Sequence, residues 1–578
     1  MLKMNFSLEQ MKTKIKRNFL IFLVLGLIII LSFSGILISL ELKIRNKRVF
    51  SIIDERTQDI IICTYYTGSI DYGVIVLQGF GSDQISIKSI ITEFIIEGFH
   101  VFSYDYSGHG RSSGFIDFNN TGTDKLALQL RQMKEEFKLV SGLNDSQIVF
   151  VGQSYGARIA LQEQTFDNLT IAGMILIGVQ VNLDVSNKAD VFTGVSDLDL
   201  EWINNLGLDN PKTNISIMTG TWDEVLPPSG AILLYEKLTN ENYADIGSYF
   251  PGTNKNSREV LFFNGIVHNY EVYSTRIVKE AKVRVANFLG LNSLEFKNSS
   301  LTVLRTASWL LTISGFYICF YSLSKLLSNN KNEHQERKRN FEYNIQNTKR
   351  YSYGKIASFL ISIPMMVLIA LFFLIFGVDL PLLAITYTSF FFAIGIVDLI
   401  LYWKDHMWGV EGTWYRSEKL GKLDKELLKN ISLVLGVSFI IIIVLSFILQ
   451  TGLWTLFPAR KIPWLVLLTP FCFFGVYMQI KQVRMISNQE KRKKINLLAH
   501  FGVIVGLILM VILLAAVFGF VGIIVGLFEI GLTFGYITLL GIFINKISKN
   551  DLLTAIVLTV VLLYLVIPQS VVFRNPLY

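Results

Sequence analysis

Two hydropathy textures divide this chain. From Phe19 to Leu40 the run is apolar and carries no charge, and a helix of that length matches a hydrocarbon core about 30 Å thick. After residue 300 such runs recur near 303–323, 356–376, 382–403, 432–453, 463–480, 499–519, 522–544 and 552–573. The pattern predicts nine spans, with the stretch from His500 to Lys546 divided into two helices at a glycine-rich reversal around Gly519 and Gly522. Between residues 48 and 290 the texture is different: short β-branched runs alternate with longer amphipathic ones, the rhythm of βαβ units and a mainly parallel sheet. Strands are expected at Gly73–Leu77, Phe99–Tyr104, Gln147–Val151, Ile171–Ile177, Ile215–Thr219 and Val260–Phe263. Helices are expected through Ile87–Glu97 and Thr123–Val140, and again from Ala157.

Composition agrees with a membrane protein. Of 578 residues 51% are hydrophobic and only 17% charged, more apolar side chain than a water-exposed surface accommodates. The net charge of +8 is unevenly spread: residues 41–300 hold 22 Lys+Arg against 31 Asp+Glu, and the rest holds 31 against 14. A basic excess outside the soluble stretch is a topology signal, so no nucleic-acid partner is expected. Loops on the side of the N-terminus carry 27 Lys+Arg against 3 in the alternate loops. The basic side is cytoplasmic by this rule, which puts residues 41–300 outside, with Lys43, Arg45, Lys47 and Arg48 as contrary charges. Lys12, Lys14, Lys16 and Arg17 precede the first run as in a secretory signal, but the run is longer than a signal core and lacks a clear cleavage site. It reads as an uncleaved signal-anchor.

The organisation expected is a basic cytoplasmic N-terminus (1–18), a signal-anchor (19–40), an α/β domain (41–300) and a helical membrane domain of about eight spans (301–578). Sequons at Asn119, Asn144, Asn168, Asn214 and Asn298 permit glycosylation outside. Cys63, Cys319 and Cys472 lie too far apart to suggest a disulfide framework or a cysteine metal site. Asp398 and Glu529 fall inside apolar runs, where an ionisable residue is either functional or polar glue between helices.

The chemistry centres on Gly152-Gln153-Ser154-Tyr155-Gly156, set between a strand and a helix. A serine held on so tight a turn needs glycines on both sides to avoid steric overlap, which makes Ser154 the candidate nucleophile. It needs a base, and the base an orienting acid, in the chain order Ser, acid, His. Among His100, His109 and His268 only His268 follows. Asp223 sits directly after a predicted strand and is the candidate acid, with Glu224 its close competitor. The oxyanion hole is expected from the N–H groups of Tyr155 and of Phe80, the latter between two glycines after the strand ending at Leu77.

These stretches, VIVLQGFGS, VFSYDYSGHGRSSG, VGQSYGARIAL, GTWDEVLPP and GIVHNYE, resemble the α/β-hydrolase superfamily in order and spacing. The similar branch includes serine aminopeptidases, monoacylglycerol lipases and related membrane-tethered hydrolases. The resemblance implies an α/β-hydrolase domain, structural roles for Asp105, His109, Gly110 and Arg111, and a substrate that is a small acyl ester, a lipid or a short peptide. Gln78 departs from the family histidine before the oxyanion glycine. The 44 residues between Asp223 and His268 are longer than usual, with a polar insertion around Glu241–Arg258. A lid would come from Asn182–Asn214, a short acidic segment unlike a large apolar lipase cap. No cofactor fingerprint or metal spacing stands out. The reaction expected is Ser-His-Asp hydrolysis through an acyl-enzyme, an ester substrate being slightly favoured over a peptide. The alternative is a transporter or sensor that uses a hydrolase-like domain for binding.

Overall fold

The computed structural model describes residues 2–117, 124–166, 170–179, 181, 202–223, 225–241, 249–250, 256–291, 300–327, 344–345, 347–375, 380–402, 410–411, 459–487, 541, 544, 551–568 and 570–574. Its centre is a nine-stranded sheet in the order β1-β2-β4-β3-β6-β7-β8-β10-β9. The strands are β1 Lys47–Ile53, β2 Ile60–Tyr66, β3 Gly73–Leu77, β4 His100–Tyr104, β6 Ile148–Gln153, β7 Gly173–Ile177, β8 Asn214–Gly220, β9 Tyr249–Phe250 and β10 Arg258–Phe263. A short β5, Ile116–Asp117, lies apart. Strands β4, β3, β6, β7, β8 and β10 are parallel, and β2 and β9 flank them antiparallel. The six parallel strands are the ones expected, each end within two residues of its expected position.

Alternate residues of β3 reach two cores. Ile75 and Leu77 pack with Leu130, Met133 and Phe137 of α3 (Asp124–Ser141) and Ile159 of α4 (Tyr155–Phe166). Val74 and Val76 pack on the other face with Ile90 and Phe94 of α2 (Lys88–Ile96), together with Ile277, Ala281 and Val285. A strand covered on both sides reads as a continuous apolar run, which is why GVIVL stands out. The β1–β2 hairpin was not anticipated: β1 is an edge strand whose side chains are mostly exposed or half-buried, so no periodicity marks it. Strand order reverses between β3 and β6, so the loops after Leu77 and Gln153 meet at the switch point where α/β sheets hold their ligands.

Part of the expected lid segment is core: Trp202, Ile203 and Leu206 are buried in the α3/α4 layer, and residues 182–201 lie outside the described residues. The polar insertion contributes β9, paired on β10. Asn214 is no glycan acceptor in the folded domain, because its buried amide donates to Ala172 O (2.9 Å) and accepts from Ser257 Oγ (2.8 Å).

Helix α5 (Pro228–Thr239) and α6 (Thr275–Phe288) complete the domain. Among the described residues four helices are long and apolar enough to cross a membrane, over Arg17–Lys43, Lys349–Phe373, Ala384–Leu401 and Ile462–Val483. The first belongs to α1 (Leu2–Lys43), which packs along α7 (Ser300–Leu327). Gly26 and Gly315 let the two backbones approach, since a Cβ on Gly26 would stand 2.8 Å from Gly315 O. The expected spans near 432–453 and 499–519, Glu529, and all of 522–544 except Gly541 and Ile544, lie outside the described residues. Asp398 of α9 (Leu382–Leu401) is fully buried. It accepts from Lys355 Nζ (2.7 Å) and Ser358 Oγ (2.5 Å) of α8 (Thr348–Ile375) and from Gln479 Nε2 (2.7 Å) of α10 (Ile462–Ser487). A carboxylate satisfied from two neighbouring helices is a cross-tie of the bundle.

Among the described residues two clusters tie the sheet domain to the apolar helices. At the end of α1, Glu41 binds Lys88 of α2 (2.6 Å) and Arg305 of α7 (2.8 Å). Arg305 also donates to Thr92 Oγ1 (3.2 Å), and Glu93 accepts from Lys282 (3.1 Å) and from the Thr302 N–H (3.1 Å). At the second, the extended segment Val572–Arg574, beyond α11 (Asp551–Val566), lies parallel to β5 and antiparallel to Leu380–Pro381. The Val572 N–H donates to Gly108 O (3.0 Å).

Candidate active site

Ser154 has φ +54°, a left-handed backbone uncommon outside glycine. It costs about 1–3 kcal/mol, which burial of one neighbour such as Ile159 offsets at about 1.5–3 kcal/mol. The flanking glycines are required: a Cβ on Gly152 would stand 2.6 Å from Ala157 N, and one on Gly156 2.6 Å from Gln78 O. The turn sets Ser154, half-buried, at the start of α4.

Two more loops converge there. After β8, Asp223 is buried and its Oδ1 accepts from the Val225 (3.0 Å) and Leu226 (2.7 Å) N–H groups. Its other oxygen lies 2.8 Å from His268 Nδ1. His268 Nε2 lies 3.0 Å from Ser154 Oγ. With Nδ1–H donated to the carboxylate, Nε2 is left as the acceptor that a serine proton needs. The structure thus brings Ser154, His268 and Asp223 into one hydrogen-bonded line; Glu224 lies outside the described residues. His100 and His109 are elsewhere, the former against Tyr65 OH (2.6 Å) at the start of β4.

The turn after β3 abuts the nucleophile: a Cβ on Gly79 would stand 3.4 Å from Ser154 Cβ. Phe80 and Tyr155, the expected oxyanion donors, sit on either side with their rings edge to face at 5.5 Å. Gln78 is fully buried, its backbone O taking Tyr106 OH (2.9 Å), while its side-chain amide has no hydrogen-bond partner among the described residues. Asp105 is fully buried and ties this turn to the next loop through the N–H groups of Gln84 (3.0 Å) and Arg111 (2.9 Å).

His109 supports the same turn from below, its ring edge to face with Phe80 at 5.8 Å. Its Nδ1 bonds Ser107 O (3.1 Å), and burial pushes its pKa down to about 4. In the unfolded chain the group titrates near 6.5, so between pH 6.5 and 4 the unfolded state binds the extra proton. Stability is therefore expected to fall across that window by on the order of 3 kcal/mol. Thermal midpoints of the detergent-solubilised protein from pH 7 to 4 check this, and His109→Gln should flatten the slope.

One acid was not anticipated. Glu271, three residues past His268 in the 3-10 helix His268–Tyr273, is fully buried beside Asp223. Burial first, and then the Asp223 charge, hold its carboxyl well above the usual carboxylate range. Nothing in the sequence separates it from a solvated acid, because the space it fills is kept by a distant glycine at 178. Asp223, His268 and Glu271 bring their ligand atoms within 4.8 Å of one another. Nδ1 and Oδ2 at 2.8 Å are closer than the roughly 3.3 Å that two ligands keep around tetrahedral zinc, so the set suits a hydrogen bond better than a metal.

Residues 68–206 match the family described as serine aminopeptidase, S33. The domain has the α/β-hydrolase fold. Solved structures similar to this α/β-hydrolase domain include an esterase from Pyrococcus furiosus, 18% identical over 42% of this chain and 91% of that one with a TM-score of 0.32. A monoacylglycerol lipase from Paleococcus ferrophilus is 15% identical over 42% of this chain and 99% of that one, with a TM-score of 0.30. No curated protein matches the chain.

Proposed function

We propose that the chain is a membrane-bound serine hydrolase that cleaves acyl esters presented by the bilayer, with its α/β-hydrolase domain outside the cytoplasm. The observation that carries this reading is the line from Ser154 Oγ through His268 to Asp223, at 3.0 and 2.8 Å. Ser154 Oγ attacks the ester carbonyl while His268 Nε2 takes its proton. The Tyr155 and Phe80 N–H groups stabilise the oxyanion. The same proton then leaves with the alcohol, and water, deprotonated by His268, releases the acid.

Two contacts favour a lipid ester over a short peptide. The 3-10 helix that carries His268 touches α7, and the turn bearing Phe80 packs against the membrane bundle's apolar core. Both walls of the site are thus continuous with membrane helices. Trp222 and Tyr270, next in sequence or nearly so to Asp223 and His268, are 65% and 59% exposed, as suits aromatic residues at a headgroup layer. The outward placement is supported by the segments at the sheet domain: Val572–Arg574, which pairs with β5 and with Leu380–Pro381, and Arg460, which donates to Ile60 O, all belong to the side poor in Lys and Arg.

Full-length protein in liposomes should hydrolyse a long-chain monoacylglycerol at a rate that follows its surface concentration. Its kcat/KM should exceed that for a soluble acetate ester by at least about tenfold, since each buried CH2 contributes about 0.8 kcal/mol. Faster cleavage of aminoacyl amides would instead favour a peptidase.

A further inference from the structure

The imidazole of His268 has two carboxyl groups beside Nδ1, Asp223 Oδ2 at 2.8 Å and Glu271 Oε2 at 3.6 Å. Glu271 Oε1 is anchored, accepting the Gly220 N–H (2.8 Å) from the strand end that leads into Asp223. Among the described residues Oε2 has no hydrogen-bond partner, although the residue is fully buried. Its space is kept by Gly178, at φ +56°, where a Cβ would collide with that oxygen.

We propose that Glu271 is a positioning residue and reserve acid of this site, sharing His268 with Asp223 and able to accept Nδ1–H when Asp223 cannot. The inference rests on the triad reading above. Two carboxyl groups so close do not both ionise, so with Asp223 charged Glu271 keeps its proton and one negative charge faces the imidazole. When Asp223 is neutralised, Glu271 ionises in its place, and Oε2 has only to close from 3.6 Å to about 2.9 Å to accept the ring N–H. The proton balance is the same either way: the Ser154 proton goes to Nε2, and Nδ1–H stays with the ring.

The test is kcat/KM against pH for the full chain and its D223N, E271Q and D223N/E271Q variants, with fluorophosphonate labelling alongside. Gln at 271 can still accept from Gly220. D223N should lose about 100-fold rather than the roughly 10,000-fold of a triad left without an acid, and its activity should rise at higher pH than that of the wild type. E271Q alone should cost about threefold, and the double variant about 10,000-fold, so the same change matters far more once Asp223 is gone. Equal effects of E271Q in both backgrounds would overturn the proposal. So would a D223N profile with the wild-type pH midpoint, a readout that holds even where the double variant does not fold. Labelling that persists in S154A would instead remove the triad reading itself.

Discussion

Ser154→Ala should abolish fluorophosphonate labelling of the full-length chain in membranes and lower ester turnover by about 10,000-fold to a millionfold. The hydroxyl is the only atom lost, and the left-handed turn accepts alanine at a strain similar to that of serine. The variant should therefore fold with an unchanged thermal midpoint. The size of the loss follows from the line of hydrogen bonds: without Oγ, the His268–Asp223 pair has no proton to take and no acyl group can be held covalently. Residual turnover over water would come from the oxyanion donors and binding alone. Full labelling of folded Ser154→Ala protein would leave a hydrolase-like domain with some other purpose, and would return attention to the apolar helices.

Arg305→Ala should be strongly destabilising, lowering stability by about 3 kcal/mol. Arg305 is 1% exposed and joins α7 to Glu41 of α1 at 2.8 Å and to Thr92 of α2 at 3.2 Å. Its removal leaves Glu41 to Lys88 alone, a lysine whose burial already pushes its pKa down to about 8. The remaining pair is weaker on both counts. Arg305→Lys keeps the charge but loses the second arm of the guanidinium fork, so it should cost less. Thermal midpoints of detergent-solubilised protein measure this. On the proposed function the consequence should be selective: loosening the junction should slow cleavage of a vesicle-borne ester more than that of a soluble one, because the line from Ser154 to Asp223 stays intact while its place relative to the apolar helices changes. Unaltered midpoints would mean that the sheet domain hangs on its linkers rather than on this cluster.

Much of the site could be read from the chain because its constraints are local. The glycines at 152 and 156 are forced by contacts under 3 Å around one turn, and such a turn has few sequence solutions. The parallel strands were legible for a similar reason: buried on both faces, they must be apolar throughout. Asp223 and His268 followed from their places at strand ends and from their order after Ser154. The β1–β2 hairpin carries no such signature, since an edge strand tolerates polar residues on its open side. The length after Asp223 was visible, but not that part of it would pair as β9 along β10.

Sequence by itself determined the two textures, the α/β-hydrolase class and the identity of the residues that meet at the switch point, because each follows from burial periodicity or from the sterics of a few neighbouring positions. Only the tertiary structure decided that Glu271 stands buried beside Asp223, that Asp398 is spent on Lys355, Ser358 and Gln479, and that the loops carrying Phe80 and His268 rest against the apolar helices. Each of these is a pairing between groups far apart in the chain. Pairing of that kind depends on which surfaces come within a few ångströms, and a linear pattern of side chains does not encode distance.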